Sequence, residues 1–242
     1  MQNQLRPELP PLPREMQHLP IDERGYPVPW FVHWPKGGKP EFRIIGPGKV
    51  EYALRGELCW VCGGRFTNRR RFFVVGPMCC VNRISGEPPC HEACAVYAAR
   101  GCPFLSRPHM VRRENDLPPE RVEQPAHVDH NPGLAAVWKT RSFEVLQLDD
   151  GVLFRMGEPE SVGWYCEGRE ATRTEVYAAL SKGIPKLIES CKGDAGALLE
   201  CGERTAWVTQ NLIPGQPLCA TAPRLYESDS SPQCPFPALG HG

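Results

Sequence analysis

Cys59-Trp60-Val61-Cys62-Gly63-Gly64 and, with 28 residues between Cys62 and His91, His91-Glu92-Ala93-Cys94 set two metal-ligand pairs into a chain of 242 residues. A Cys-x-x-Cys turn closed by Gly brings two thiolates to one cation, while nearby amides point at the sulfurs and Gly63-Gly64 supplies permissive backbone. The second pair lies three residues apart at the start of an Ala-rich run, Cys90 to Arg100, which Pro88-Pro89 precedes and Gly101 ends. In the first turn of a helix His91 and Cys94 share a face, and the helix dipole there favours a thiolate. Cys59, Cys62, His91 and Cys94 are therefore the candidate ligands, and a structural zinc ion is the expected occupant.

The order of knuckle, hairpin and ligand-bearing helix resembles treble-clef zinc fingers. Closing the segment from Cys62 to His91 through metal bonds adds folding energy that a small proline-rich lobe could not easily gain by burial. Cys79, Cys80, Cys90 and Cys102 lie in the same stretch. One of them could replace His91, or Cys79 and Cys102 could help to hold an iron-sulfur cluster, the alternative to zinc. Four protein ligands describe a closed structural site, whereas a catalytic zinc keeps one position for water. The zinc-deaminase pattern is not met, because Glu92 directly follows His91 and no Pro-Cys-x-x-Cys comes after it. A metal-dependent nuclease could draw only on Asn68, Asn82 and His91 within the finger. No catalytic residue is assigned.

Composition suits a folded protein with many short elements, since 41% of residues are apolar and Gly and Pro, at 23 and 27, make up a fifth of the chain. The N-terminus lacks the apolar run of a secretory signal, and no stretch approaches the ~18 apolar residues of a membrane span. A cytoplasmic location with no membrane partner is expected. In that reducing compartment twelve cysteines are metal ligands and small buried hydrophobes, not a disulfide framework. Residues 1–115 carry 17 Lys and Arg against 10 Asp and Glu, and residues 116–242 carry 11 against 18, so the halves differ in sign. Two mutually attracting lobes explain this as readily as a half that faces nucleic acid. Oligomeric state is not legible.

Residues 1–25 read as a proline-rich arm, 26–105 as the zinc-binding lobe, 106–132 as a linker, 133–214 as a small α+β lobe and 215–242 as a disordered tail. Pro27 to Trp34 and Glu41 to Ile45 predict a hairpin, Val50 to Arg55 a brief helix, and Arg71-Phe72-Phe73-Val74-Val75 a strand that Gly76-Pro77 stops. Ala136 to Arg141, Gly151 to Met156 and Val162 to Cys166 predict three strands of a small antiparallel sheet. Thr172-Arg173-Thr174-Glu175 has capping-box spacing and opens a helix closed by Gly183; Pro185 starts another, and a third from Ala195 to about Leu212 is expected to break near Gly202. The fold class is α+β: a zinc-stapled, treble-clef-like N-terminal lobe, then a small antiparallel sheet with two or three helices. No repeat, phosphate-cradling loop or dinucleotide fingerprint is present.

Arg65, Arg69, Arg70 and Arg71 cluster beside Phe66, Phe72 and Phe73, a composition suited to phosphate contact with aromatic neighbours. Three consecutive arginines at a turn are also ordinary solvated chemistry. Nucleic acid and a host or phage protein are the two partner classes consistent with this surface.

Several runs, Arg24 to Val32, Cys59-Trp60-Val61-Cys62-Gly63, Gly76-Pro77-Met78-Cys79, Glu87-Pro88-Pro89 with His91 and Cys94, Cys102-Pro103-Phe104-Leu105 and Gly168 to Arg173, resemble a family of uncharacterised proteins from bacterial genomes, prophages and phages. The resemblance covers most of residues 20 to 190. It implies a mobile-element context and a role for Cys79 and Cys102 beside the main pairs, and it demotes Cys80 and Cys90 as ligands. The expected function is that of a zinc-binding accessory protein of phage or prophage type that contacts nucleic acid or a host protein through its basic finger.

Overall fold

A computed structural model describes residues 3–107, 133–149 and 151–214. The expected tail, residues 215–242, and nearly all of the expected linker lie outside the described residues. In chain order the elements are a 3-10 turn at Arg14–Met16, strands β1 (Val32–His33) and β2 (Glu41–Ile45), helix α1 (Lys49–Gly56), strand β3 (Arg71–Val75), helix α2 (Pro77–Asn82) and strand β4 (Ile84–Ser85). Helices α3 (Glu92–Gly101) and α4 (Pro103–Ser106) follow, then strands β5 (Ala135–Thr140), β6 (Phe143–Leu148), β7 (Gly151–Met156), β8 (Pro159–Cys166) and β9 (Arg169–Glu170), and helices α5 (Arg173–Ser190) and α6 (Ala195–Asn211). The fold is mixed α+β, with three small antiparallel sheets ordered β1-β2, β3-β5-β8-β9 and β4-β7-β6.

The two larger sheets are built around one bent ribbon. β5 turns into β6 at Arg141-Ser142 and β7 into β8 at Gly157-Glu158, and the bends are joined where the Gly157 amide donates to the Ser142 carbonyl at 2.9 Å. A Cβ on Gly157 would collide with Ser142, so this crossing requires glycine. Trp138, fully buried on β5, donates its indole N–H to the Gly157 carbonyl at 3.0 Å and closes the corner.

β3 finds its partner far along the chain. It pairs with β5 over five residue pairs, from Arg71 opposite Thr140 to Val75 opposite Ala136. β4 likewise pairs with β7, Ile84 opposite Arg155. Residues on either side of 106–132 therefore share a sheet, and one hydrophobic cluster runs from Met16, Trp60 and Phe73 through Trp138, Phe154 and Met156 to Val176 and Val208. Each large aromatic buried here stabilises the fold by about 2 kcal/mol or more.

The proline-rich arm drapes over the domain. Met16 is 1% exposed, the Arg6 amide bonds the Gly25 carbonyl at 3.1 Å, and the His18 ring donates to the Cys62 carbonyl at 2.9 Å. The β1-β2 hairpin and α1 form as their composition predicts, and β3 stops at Gly76. The three strands expected in one sheet divide between two, β5 and β8 in one and β7 in the other, because β7 pairs with β4 and β6. Four local features also depart from expectation. Pro77, expected only to help stop β3, opens the short helix α2; β6 is an additional strand; and α5 runs on through Gly183 and Pro185, while α6 passes Gly202 unbroken. α5 survives Pro185 because α2 packs beside it at Gly183, where a Cβ would sit 2.7 Å from the Met78 sulfur. Tertiary contact here outweighs the single lost helical hydrogen bond.

Candidate metal centre

The first ligand pair sits in a knuckle. Cys59 N–H bonds the Gly64 carbonyl at 2.8 Å, Gly63 N–H bonds the Cys59 carbonyl at 2.8 Å, and Leu58 bridges to Arg65, so the chain reverses within six residues. Gly63 takes φ +72°, and a Cβ there would stand 2.5 Å from the Trp30 ring. Trp60 projects into the core, where its ring stacks on Phe31 with centroids 4.8 Å apart. Its amide donates to the Pro89 carbonyl at 3.0 Å, and this bond ties the knuckle to the approach to α3.

The second pair comes from the start of α3. His91 is the N-cap residue, in extended conformation, and Cys94 lies three positions on in the first turn. The ligand atoms of Cys59, Cys62, His91 and Cys94 all lie within 4.8 Å of one another, and no disulfide joins the cysteines. Such a group could hold a metal ion: two Zn–S bonds at a tetrahedral centre separate their sulfurs by about 3.8 Å. Cys59 and Cys94 are 0% exposed and Cys62 is 2% exposed, while His91 borders solvent.

Hydrogen bonding orients the donors. The His91 ring points Nδ1 at Cys62 Sγ, 3.3 Å away, and its Nε2 lies 3.1 Å from the Arg65 carbonyl. A carbonyl only accepts, so Nε2 carries a proton and the ring is held with Nδ1 turned toward the sulfurs, the arrangement in which an outer hydrogen bond leaves Nδ1 as the atom a cation would take. Backbone amides of His91 and Gly64 donate to Cys59 Sγ at 3.2 Å and to Cys62 Sγ at 3.4 Å. Phe66 packs edge-on against the imidazole with centroids 4.9 Å apart.

The electrostatics are those of a thiolate site. Burial pushes the Cys59 thiol up, but hydrogen bonds from Cys62, Cys90, Cys94 and His91 outweigh it and bring Cys59 well below the ordinary value. Hydrogen bonds to Cys59 and Cys62 raise His91 to about 10. Cys94 is pushed up by those same two sulfurs, since several thiolates cannot ionise side by side without a cation among them.

The remaining cysteines fall elsewhere. Cys79, on α2, and Cys102, between α3 and α4, are not among the converging ligand atoms, and burial raises both thiols, which disfavours the thiolate a metal needs. Cys90 is not a member of the group either, yet it hydrogen-bonds Cys59, which holds the Cys90 thiol neutral and well above its ordinary value. Its place directly before His91 was the sequence signal for that supporting role. Asn68 and Asn82, the side chains a nuclease would use, accept from the Arg70 amide at 2.8 Å and the Ile84 amide at 2.9 Å, so each serves a local turn.

Of the four arginines expected at a partner surface, Arg65, Arg69 and Arg70 are exposed. Arg71 is turned inward: its side chain is 12% exposed, its guanidinium lies 4.0 Å from the centroid of the Phe66 ring, and it donates to the Asn68 carbonyl. On the His91 side the centre opens into a groove of about 680 Å³ between the proline arm and α3, rimmed by Arg70 and Arg100 against Glu15 and Glu92.

Fold and site together define a mixed α+β protein with a Cys3His group that could hold a metal ion. No protein-family model matches the chain, nor does any curated protein or solved structure. Among the described residues no helix is long and apolar enough to cross a membrane.

Proposed function

We propose that the centre holds one structural zinc ion and that the zinc-stapled segment serves an accessory role, presenting a basic surface to nucleic acid. The observation that carries the zinc assignment is the convergence of three sulfurs and the His91 Nδ1 within 4.8 Å, with amides aimed at two of the sulfurs. That spacing suits one tetrahedral ion, whereas an iron-sulfur cluster spreads its four thiolates across several irons. The complete ligand set and its burial favour a closed, non-catalytic site. The exposed arginines of the knuckle and its following turn support the nucleic-acid reading, and the proposed phage or prophage setting rests on the sequence runs alone.

Two measurements test this reading. Elemental analysis of freshly purified protein is expected to find about one zinc per chain and no visible absorbance; iron with sulfide would overturn the zinc assignment. DNA binding should fall steeply with salt and weaken in Arg69→Ala and Arg70→Ala; no binding at low salt removes nucleic acid as the partner.

A further inference from the structure

Beyond the knuckle, positive charge gathers at one end of the four-stranded sheet. Arg70 enters β3, Lys139 lies near the end of β5, and Arg141 follows β5; these are neighbouring strands about 5 Å apart. All three side chains converge on one carboxylate, Glu160 of β8. Arg70 Nε stands 3.7 Å and Lys139 Nζ 3.4 Å from Glu160 Oε2, and Arg141 pairs with Oε1. One carboxylate against three cations leaves the cluster positive. Arg69, next to Arg70 in the chain, and Arg65 of the knuckle are exposed, and no carboxylate pairs with either among the described residues. Arg141 and Arg70 are 69% and 52% exposed and face solvent, while Lys139, at 21%, is mostly covered and reaches the cluster from the sheet.

The geometry points to a phosphate-binding track that runs from the knuckle arginines across the sheet end to Lys139 and Arg141, with Glu160 seated among the cations as the anion that a polynucleotide phosphate displaces. This extends the nucleic-acid reading above and rests on it. Glu160 keeps three flexible cations convergent in the free protein, which lowers the ordering cost of binding, and its own charge weakens the bound state. A phosphate brings the same charge with more acceptor oxygens and releases condensed counterions on arrival, an advantage that a lone side-chain carboxylate lacks.

The test is fluorescence anisotropy of the full-length, metal-loaded chain with labelled single-stranded and duplex DNA across a salt series, and with labelled polyglutamate. Arg141→Ala combined with Lys139→Gln, which keeps the packed stem, should weaken DNA binding and reduce the salt slope by about two. Glu160→Gln should tighten binding about fivefold at low salt. Unchanged zinc content and circular dichroism would show that these surface variants remain folded. If Arg69→Ala and Arg70→Ala weaken binding but the Lys139 and Arg141 variant does not, the track is overturned while the knuckle reading stands. If wild-type protein binds no DNA at low salt, both fall. Polyglutamate bound as tightly as DNA overturns the nucleic-acid assignment in favour of an acidic protein partner.

Discussion

His91 shows most directly how single side chains set the chemistry. Hydrogen bonds to Cys59 and Cys62 raise it to about 10 from an ordinary 6.5, which favours a proton on Nδ1. A metal can use Nδ1 only by displacing that proton. Zinc uptake by the stripped protein at pH 7 is therefore expected to release protons, and affinity should rise with pH; a pH indicator in unbuffered solution reads this, and uptake without acidification would contradict it. Replacing Cys94 with Ser is expected to abolish stoichiometric zinc and lower stability by about 3 kcal/mol or more, whereas His91→Cys keeps four ligands and should retain the metal. Gly63→Ala puts a Cβ against Trp30 at positive φ and should cost about 2 kcal/mol in denaturant unfolding. Gly183→Ala meets only the flexible end of Met78 and gains helix propensity, so it should lie within about 1 kcal/mol of wild type.

Helix α5 shows a local signal being honoured at its start and overruled later. Thr172 Oγ1 accepts from the Glu175 amide at 3.3 Å and the Glu175 carboxylate accepts from the Thr172 amide at 2.8 Å, which completes the capping box. Arg169 and then Thr172 hold the Glu175 carboxyl well below its ordinary 4.5. Because the folded-state value is lowered, its stabilisation is present above about pH 4.5 and is lost as pH falls through the lowered value. The stability difference between wild type and Glu175→Gln should therefore shrink on acidification, as followed by urea unfolding at several pH values. Thr172→Ala should cost about 1 kcal/mol at neutral pH. Gly183 and Pro185 read as a break because propensity counts only the helix's own hydrogen bonds, not the contact with α2.

Assembly of the protein depends on pairings that bridge long sequence separations. β3 lies between the metal ligand pairs in the chain and bonds there through a single bridge, Phe72 with Cys90, yet its full-length partner is β5, and fully buried Phe73 packs among residues contributed by both halves. A fragment of residues 1–107 is thus expected to bind zinc through its four ligands but to leave β3 with only its Phe72–Cys90 bridge and Phe73 uncovered. It should lack a cooperative unfolding transition and aggregate, and adding residues 133–214 should restore one. A cooperative, monomeric fragment would show that the metal lobe folds independently. Phe154→Ala in the full chain should cost about 3 to 5 kcal/mol, because the cavity would open in the core that both halves share.

The ligand set, the knuckle, the capping box and most strand and helix positions were legible in the chain because each depends on residues close together: a Cys-x-x-Cys turn, a Thr-x-x-Glu start, a β-branched and aromatic run. The partner of β3, the bent ribbon crossing at Gly157 and Ser142, the inward turn of Arg71 and the gathering of Lys139, Arg141 and Arg70 on Glu160 were not legible. Strand partners are selected by which exposed edges and apolar faces can be covered together, and that is a property of the packed arrangement, not of any local stretch. The four ligands announce themselves by spacing, while the strand that runs between them takes its place from the core.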